Sequence, residues 1–275
     1  MRFLRSGKVK DIYEVDDTHL LFHFTDRVSA FDVKFPSLIP RKGEVLCKFA
    51  EFWFKNLPVK NHYVRREDDD KMVVKKMDMV PIECVVRGYL YGSLVQRWRD
   101  GKVDLPPGTD TRIASKLPHP IFDPTTKSEE HDIPVTMDEV LEMGLASEEE
   151  YHWLEKTSLE IYDAIYWVAK QAGFILADLK LEFGRSGGEI ILGDSIGPDE
   201  FRMWPEKSYV VGKTQESYDK QLLRDWLAAR GFQKQFEDDR KHGKEPVGPE
   251  LPHDLCEEMS SRYVSLYAKI TGTAL

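Results

Sequence analysis

Asp178, Lys180 and Glu182 alternate with Leu179, Leu181 and Phe183 along residues 174–184. Successive side chains of a strand point to opposite faces, so this pattern sends the apolar row into a core and Asp, Lys and Glu to the other side. Arg185-Ser186-Gly187-Gly188 reads as a turn, after which residues 189–192 return to Gly193-Asp194. Such a hairpin brings Asp194 back beside the Asp178–Lys180 end. Two or three carboxylates around one lysine suit a magnesium ion bridging ATP phosphates, the lysine neutralising transferred charge. The same pattern also describes a surface hairpin whose charges face water.

Two further runs carry cations next to glycine. Ser6-Gly7-Lys8-Val9-Lys10 opens a strand, and Gly7 allows backbone to approach a phosphate while Lys8 and Lys10 project the same way. It is not a Walker loop, which has more glycines and a following helix. Val85-Val86-Arg87-Gly88-Tyr89-Leu90-Tyr91-Gly92-Ser93 places a guanidinium at the end of an apolar run, followed by two glycines and a hydroxyl. That combination can hold a phosphate or carboxylate bidentately, and a structural ion pair for Arg87 is the competing reading. Arg202, Lys220 and His131 add single groups that, read alone, fit solvated or structural roles equally well.

These groups need elements to position them. Residues 8–15 and 20–24 read as a hairpin around Asp16-Asp17, 45–56 as a helix stopped by Pro58, and 63–66 and 72–76 as strands around an acidic turn. Residues 82–86 form a further β-prone run. The proline-rich stretch 104–135 reads as an irregular functional loop, with Lys127, Glu130, His131 and Asp132 inside it. Thr136 with Glu139 and Ser147 with Glu150 match capping boxes. Leu154, Ile161, Ile165, Val168 and Ala172 fall on one helical stripe that Gly173 closes. Late helices are expected over 218–230, closed by Gly231, and 253–270. The sum is an α+β chain with a β-rich N-terminal part and helices packed behind.

Composition bounds the function. The 275 residues carry 39 Lys+Arg and 48 Asp+Glu, a net charge of −9 at 41% hydrophobic and 11% aromatic content. A core is affordable and disorder is not indicated. The acidic balance argues against a general nucleic-acid binder or a polybasic membrane-surface protein. Residues 1–120 hold 22 basic and 17 acidic groups, and residues 121–275 hold 17 and 31. The candidate cations therefore imply a locally basic cleft inside an acidic shell. Cys47, Cys84 and Cys256 have neither disulfide nor metal-ligand spacing, no apolar run approaches 20 residues, and the N-terminus lacks a signal segment. A cytoplasmic protein acting on small molecules is expected, with a homo-oligomer left open.

Taken in order, the segments resemble one family, the SAICAR synthetases (phosphoribosylaminoimidazole-succinocarboxamide synthases) of purine biosynthesis. The matching pieces are Gly7-Lys8-Val9-Lys10-Asp11-Ile12-Tyr13, Ser29-Ala30-Phe31-Asp32, Lys42-Gly43, Phe52-Trp53-Phe54, Glu83 to Tyr89, and Gly92-Ser93-Leu94. Lys127 with Glu130-His131-Asp132, Ala177 to Gly184, Gly193-Asp194, Pro198-Asp199, Arg202, Trp204 and Ser217-Tyr218-Asp219-Lys220-Gln221 complete the series. The resemblance implies a two-lobed ATP-binding fold of the SAICAR synthase type, ATP-grasp-like and distantly kinase-like. Its nucleotide-binding lobe would span residues 1–86 and its larger lobe 87–275. It implies ATP-driven coupling of an aminoimidazole ribonucleotide carboxylate to L-aspartate through an acyl phosphate, with ATP and magnesium.

Carried over by position, Gly7, Lys8, Lys10, Lys75, Met77 and Asp78 would bind ATP, and Glu182 and Asp194 would hold magnesium. Lys180 and Asp178 would be catalytic, Lys180 at the transferring phosphoryl. Arg87, Ser93, Arg202 and Lys220 would hold the ribonucleotide, with Asp32, Lys127, His131 and Asp132 bordering it and the aspartate. The chain departs from the family at Ser195, where a glutamate is usual, at Glu200-Phe201, where two serines are usual, at Ile133-Pro134, where the family tends to acid and Asn, and at Arg41, a usual glycine. Two alternatives are a small-molecule kinase of the inositol polyphosphate kinase type, on the strength of Asp178-Leu179-Lys180, and a non-catalytic nucleotide-binding module, on the strength of Ser195.

Overall fold

Strand alternation and tight turns build the first layer. The computed structural model describes residues 1–127 and 133–275. β1 (Arg2–Ser6), β2 (Lys10–Glu14) and β3 (His19–Phe24) form an antiparallel meander. The expected strand over 8–15 starts at Lys10 because the Gly7 amide turns back onto the Lys10 carbonyl at 2.8 Å, leaving Lys8 and Val9 in the turn. β1 had no sequence signal: all five residues are exposed, so no burial pattern marks this edge strand. β4 (Arg27–Ala30) and β5 (Val33–Leu38) pair around Phe31 and Asp32, whose φ values of 52° and 58° make a tight connection.

α1 (Lys42–Asn56) begins three residues before the expected start, where the Asp26 carboxylate accepts from the Gly43 amide at 2.9 Å. It buries Phe49 and Trp53, and the Phe49 ring packs edge-on against Phe201 and Tyr267. β6 (Tyr63–Asp68) and β7 (Lys71–Lys75) complete that sheet in the order β1-β2-β3-β7-β6.

A second sheet carries the chemistry. β8 (Asp78–Met79), β9 (Ile82–Tyr89) and α2 (Ser93–Arg99) lead into the proline-rich stretch. That stretch is not wholly irregular, since it contains β10 (Lys116–Phe122) and β11 (Thr125–Thr126). β10 is an edge strand, the one sheet position that tolerates Pro118 and Pro120. α3 (Met137–Glu142) and α4 (Glu148–Gln171) both start with the foreseen capping boxes. α4 ends at Gly173, with φ of 80°, and buries Leu154, Ile161 and Ile165, whereas Val168 and Ala172 are only partly covered.

β12 (Phe174–Leu181), β13 (Phe183–Ser186), β14 (Glu189–Leu192) and β15 (Phe201–Pro205) follow. The second sheet runs β10-β9-β12-β15, with β11 on β9, and β14-β13-β8 forms a third. The alternating run thus bends at Glu182 from one sheet into another. α5 (Gln221–Ala229) starts at Gln221 rather than Tyr218, because the Asp219 carboxylate accepts the Gln221 amide at 2.5 Å and holds 217–220 as a loop. α6 (Phe232–Lys241), absent from the sequence reading, buries only Phe236. α7 (His253–Thr271) closes the chain. One apolar core extends from Ile12 to Ile270 across the first two sheets, and a smaller one joins β4 and β5 to α5, α6 and α7.

Candidate active site

The register of β9, β12 and β15 stacks polar side chains in rows. Asp178 lies opposite Arg87 on one side and Arg202 on the other, and Lys180 lies opposite Val85. The Lys180 amide donates to the Glu200 carbonyl at 2.7 Å just before β15 begins. The intervening residues Leu179, Leu181, Phe201 and Met203 are buried on the opposite face, where α4 packs. One face of an antiparallel sheet therefore presents Glu83 and Arg87, then Asp178, Lys180 and Glu182, then Glu200 and Arg202.

Lys180 is the hub of the row. Its ammonium donates to Glu83 Oε1 at 2.9 Å and to Glu182 Oε1 at 3.0 Å. Burial alone would lower its pKa, but the charges of Glu182 and Glu83 outweigh that and raise it well above the usual lysine value. Lys127 reaches the second oxygen of Glu182. The hairpin turns back as expected, and the Gly193 amide donates to the Glu182 carbonyl at 2.8 Å. Asp194 therefore arrives beside Glu182 rather than beside Asp178. Its φ of 53° aims its carboxylate at Lys10, which also donates to Ser195 Oγ at 3.2 Å. Burial opposes ionisation of Asp194, but Lys10, Lys180 and Lys127 hold it far below the usual carboxylate range. Below it the imidazole of His62, buried between Phe22 and Phe54, donates to the Asp194 carbonyl at 3.2 Å.

The residues expected to hold anions are paired internally. Arg87 is engaged with buried Asp123, which Arg97 also reaches, and donates to Ser93 Oγ at 3.0 Å. The ion pair expected for Arg87 is present, and the residue also lines a cavity. Arg202 donates to Asp178 at 2.6 Å and lies over the Tyr91 ring. Gly92, with φ of 61°, makes room for it, since a Cβ there would stand 2.9 Å from the guanidinium. Lys220 and fully buried Lys42 share Asp199 at 3.1 and 2.8 Å, and Tyr263 donates to the same carboxylate. Lys8 pairs with Asp32 at 2.5 Å.

Three openings meet along this face. A cavity of about 320 Å³ is lined by Lys8, Lys10, Asp194, Lys180 and Glu200 among others. A second of about 130 Å³ adds Asp178, Arg202 and Asp219, and a third of about 610 Å³ adds Arg87, Ser93 and Gln233. Arg224 lines all three and makes no ion pair among the described residues. The first cavity is not the locally basic pocket inferred from charge counting. Its five cations (Lys8, Lys10, Lys180, Lys220, Arg224) face five acids (Asp32, Glu83, Asp194, Asp199, Glu200), because four of the cations meet a carboxylate brought in by another segment of the chain.

Lys75, Met77 and Asp78 line a separate opening of about 660 Å³ with Asp17, Thr18 and His19. Met77 packs against Gly184 and Gly193, so this opening abuts the backbone that leads into Asp194. His131 and Asp132 lie outside the described residues. Sequence reasoning missed Glu83, Glu200 and Arg224. The first two sit two or four residues from arginines already singled out, and the period-two rule applied to β12 would have reached them on β9 and β15.

The donor chemistry fits a hard divalent cation. Among the described residues no three His, Cys, Asp or Glu groups form a metal cluster, but Asp194 and Glu200 offer carboxylates on the wall of the first cavity, and Glu182 lies behind them with its oxygens on Lys180 and Lys127. Magnesium is commonly held by one or two carboxylates plus substrate phosphates. The buried Oε2 of Glu200 has no hydrogen-bond partner.

The comparisons with known proteins agree throughout. A family model described as SAICAR synthetase matches residues 3–239. The phosphoribosylaminoimidazole-succinocarboxamide synthase of Nitrosopumilus maritimus is 62% identical over the whole of both chains. That of Thermodesulfovibrio yellowstonii is 37% identical over 99% of this chain and 96% of its own. Among solved structures, the Saccharomyces cerevisiae SAICAR synthase complexed with SAICAR superposes with a TM-score of 0.85 at 34% identity, covering 99% of this chain and 95% of that one. A SAICAR synthetase in complex with ADP gives 0.75 at 28% identity, covering 98% of each chain.

Proposed function

The chain belongs to the SAICAR synthetase family, and we propose that the face built by β9, β12 and β15 carries out that family's reaction. The protein is an ATP-dependent ligase of purine biosynthesis. It joins 5-amino-1-(5-phospho-D-ribosyl)imidazole-4-carboxylate to L-aspartate, forming an amide with release of ADP and phosphate. The kinase and binding-module alternatives are not favoured by relatives this similar over their full length.

A carboxylate is a poor electrophile, so phosphoryl transfer from ATP makes it an acyl phosphate that the aspartate amine then attacks, phosphate leaving. Our reading assigns Lys8 and Lys10, after the Gly7 turn, to the ATP phosphates, and Lys75, Met77 and Asp78 to the base end. Lys180 stays charged between Glu83 and Glu182 and offers its ammonium to the transferring phosphoryl. Asp178 positions Arg202, which with Arg87, Ser93 and Lys220 receives the ribonucleotide phosphate and carboxylate. Asp32 and Lys127 border the two organic substrates, as would His131 and Asp132. Magnesium, held by Asp194 and Glu182, would supply charge neutralisation between the phosphates. We place the nucleotide-binding lobe at residues 1–86 and the substrate-carrying lobe at 87–275, joined through β9, and the reaction in the cytoplasm, in keeping with three free, buried cysteines.

The observation that carries the assignment is the Lys180 ammonium held on the wall shared by the first two cavities. The test is incubation with MgATP, the imidazole ribonucleotide carboxylate and L-aspartate. ADP release that depends on aspartate supports the ligase. Phosphate transfer to an alcohol without aspartate would overturn it.

A further inference from the structure

His62 ties the first sheet to the hairpin that carries Asp194. Its amide donates to the Leu192 carbonyl at 3.0 Å and its carbonyl accepts from the Lys75 amide at 2.7 Å, so the residue is stitched to the ends of β14 and β7 at once. It is 1% exposed, and its ring lies edge-on to Phe22 of β3 and Phe54 of α1, with centroids 5.6 and 5.1 Å away. An imidazole so enclosed must satisfy its polar atoms within the protein, and Nε2 stands 3.2 Å from the Asp194 carbonyl oxygen. A carbonyl can only accept, so Nε2 carries the proton and donates.

What that bond does follows from the backbone it meets. Asp194 is a non-glycine residue at φ of 53°, a conformation that costs free energy and persists only when its surroundings impose it. The Gly193 amide, donating to the Glu182 carbonyl at 2.8 Å, fixes the chain before Asp194. His62 fixes the peptide that follows it. The carboxylate itself pairs with Lys10. In the nucleotide reading above, on which this inference rests, the phosphates compete for Lys10. The imidazole lines none of the three cavities and keeps its hold throughout. We propose that His62 is a positioning residue, holding the Asp194 backbone in the left-handed conformation so that the carboxylate keeps its place for a divalent cation when Lys10 turns to the phosphates.

The experiment compares His62→Leu, which fills the site without a donor, with His62→Gln, whose side-chain N–H can take the place of Nε2–H. Mn²⁺ binding in the presence of ADP is read by electron paramagnetic resonance, ADP binding in metal-free buffer by calorimetry, and folding by thermal unfolding. His62→Leu is expected to lower Mn²⁺ affinity about 10-fold or more, with metal-free ADP affinity within about twofold of wild type, and His62→Gln to restore most of the loss. His62→Met, also without a donor, replaces His62→Leu if that variant does not fold. Unchanged Mn²⁺ affinity in His62→Leu, beside a loss in Asp194→Asn, overturns the proposal alone. Equal losses in His62→Leu and His62→Gln also overturn it, since they would make His62 a packing residue. Mn²⁺ affinity unchanged in Asp194→Asn as well would sink the metal assignment of the nucleotide reading, and the proposal with it.

Discussion

Lys180 illustrates how one side chain acquires a role from its neighbours. Its ammonium is held by two carboxylates, so it stays charged and immobile on the cavity wall. If it stabilises charge that develops on the transferring phosphoryl, Lys180→Ala should lower kcat by roughly 10²–10³-fold while ATP affinity moves little. Equal losses in turnover and in ATP binding, measured by steady-state kinetics and calorimetry, would assign it to ground-state binding. Glu83 supports it from the next strand, so Glu83→Gln should lower kcat more modestly, about 10-fold, with ATP affinity again unchanged. Lys180 was legible from the alternation of residues 178–183. Its clamp was not, because Glu83 lies 97 positions upstream and only the β9–β12 register brings it alongside. Asp194 marks the same limit: the hairpin was foreseen, but the extra residues after β14 carry the carboxylate to Glu182 and Lys10.

The elements that were read correctly are those whose signal is local. Capping boxes, an apolar stripe and a closing glycine gave α3 and α4, turn signals gave β3 and β7, and alternation gave β12. Elements held by distant partners were not visible. β1 exposes every residue, α6 buries one phenylalanine, and β10 is interrupted by prolines that its edge position accepts. Close approach between elements yields a test. Gly43 opens α1 where the strand β3 ends, and a Cβ there would lie 2.6 Å from the Phe24 carbonyl oxygen. Both walls are backbone and cannot yield locally, so Gly43→Ala should destabilise the protein by roughly 2–3 kcal/mol. Denaturant unfolding checks this, and a midpoint unchanged from wild type would show that α1 shifts freely on the sheet.

At the scale of the whole molecule, charge pairs tie the separate sheets and helices together. Glu150, in the first turn of α4, accepts from Arg185 on β13 at 2.7 and 2.8 Å. Arg185 holds its carboxyl down to about 2, helped by the Ser147 amide. Because the folded value lies below the unfolded one, this stabilisation is complete above about pH 4.5 and is lost as pH falls towards 2. The pair is part-exposed, so solvent screening keeps it to about 1 kcal/mol. Glu150→Gln should therefore unfold at a lower temperature than wild type at pH 7, with the gap closing in acid. A gap independent of pH would attribute the effect to the helix cap instead.

The matched charges of the cleft have a wider consequence. Substrate entry becomes an exchange, in which a phosphate or carboxylate takes over a cation that an internal acid gives up. Solution ions then have little part in the swap. Raising salt from 50 to 500 mM should weaken ATP binding far less than five cations facing water would allow.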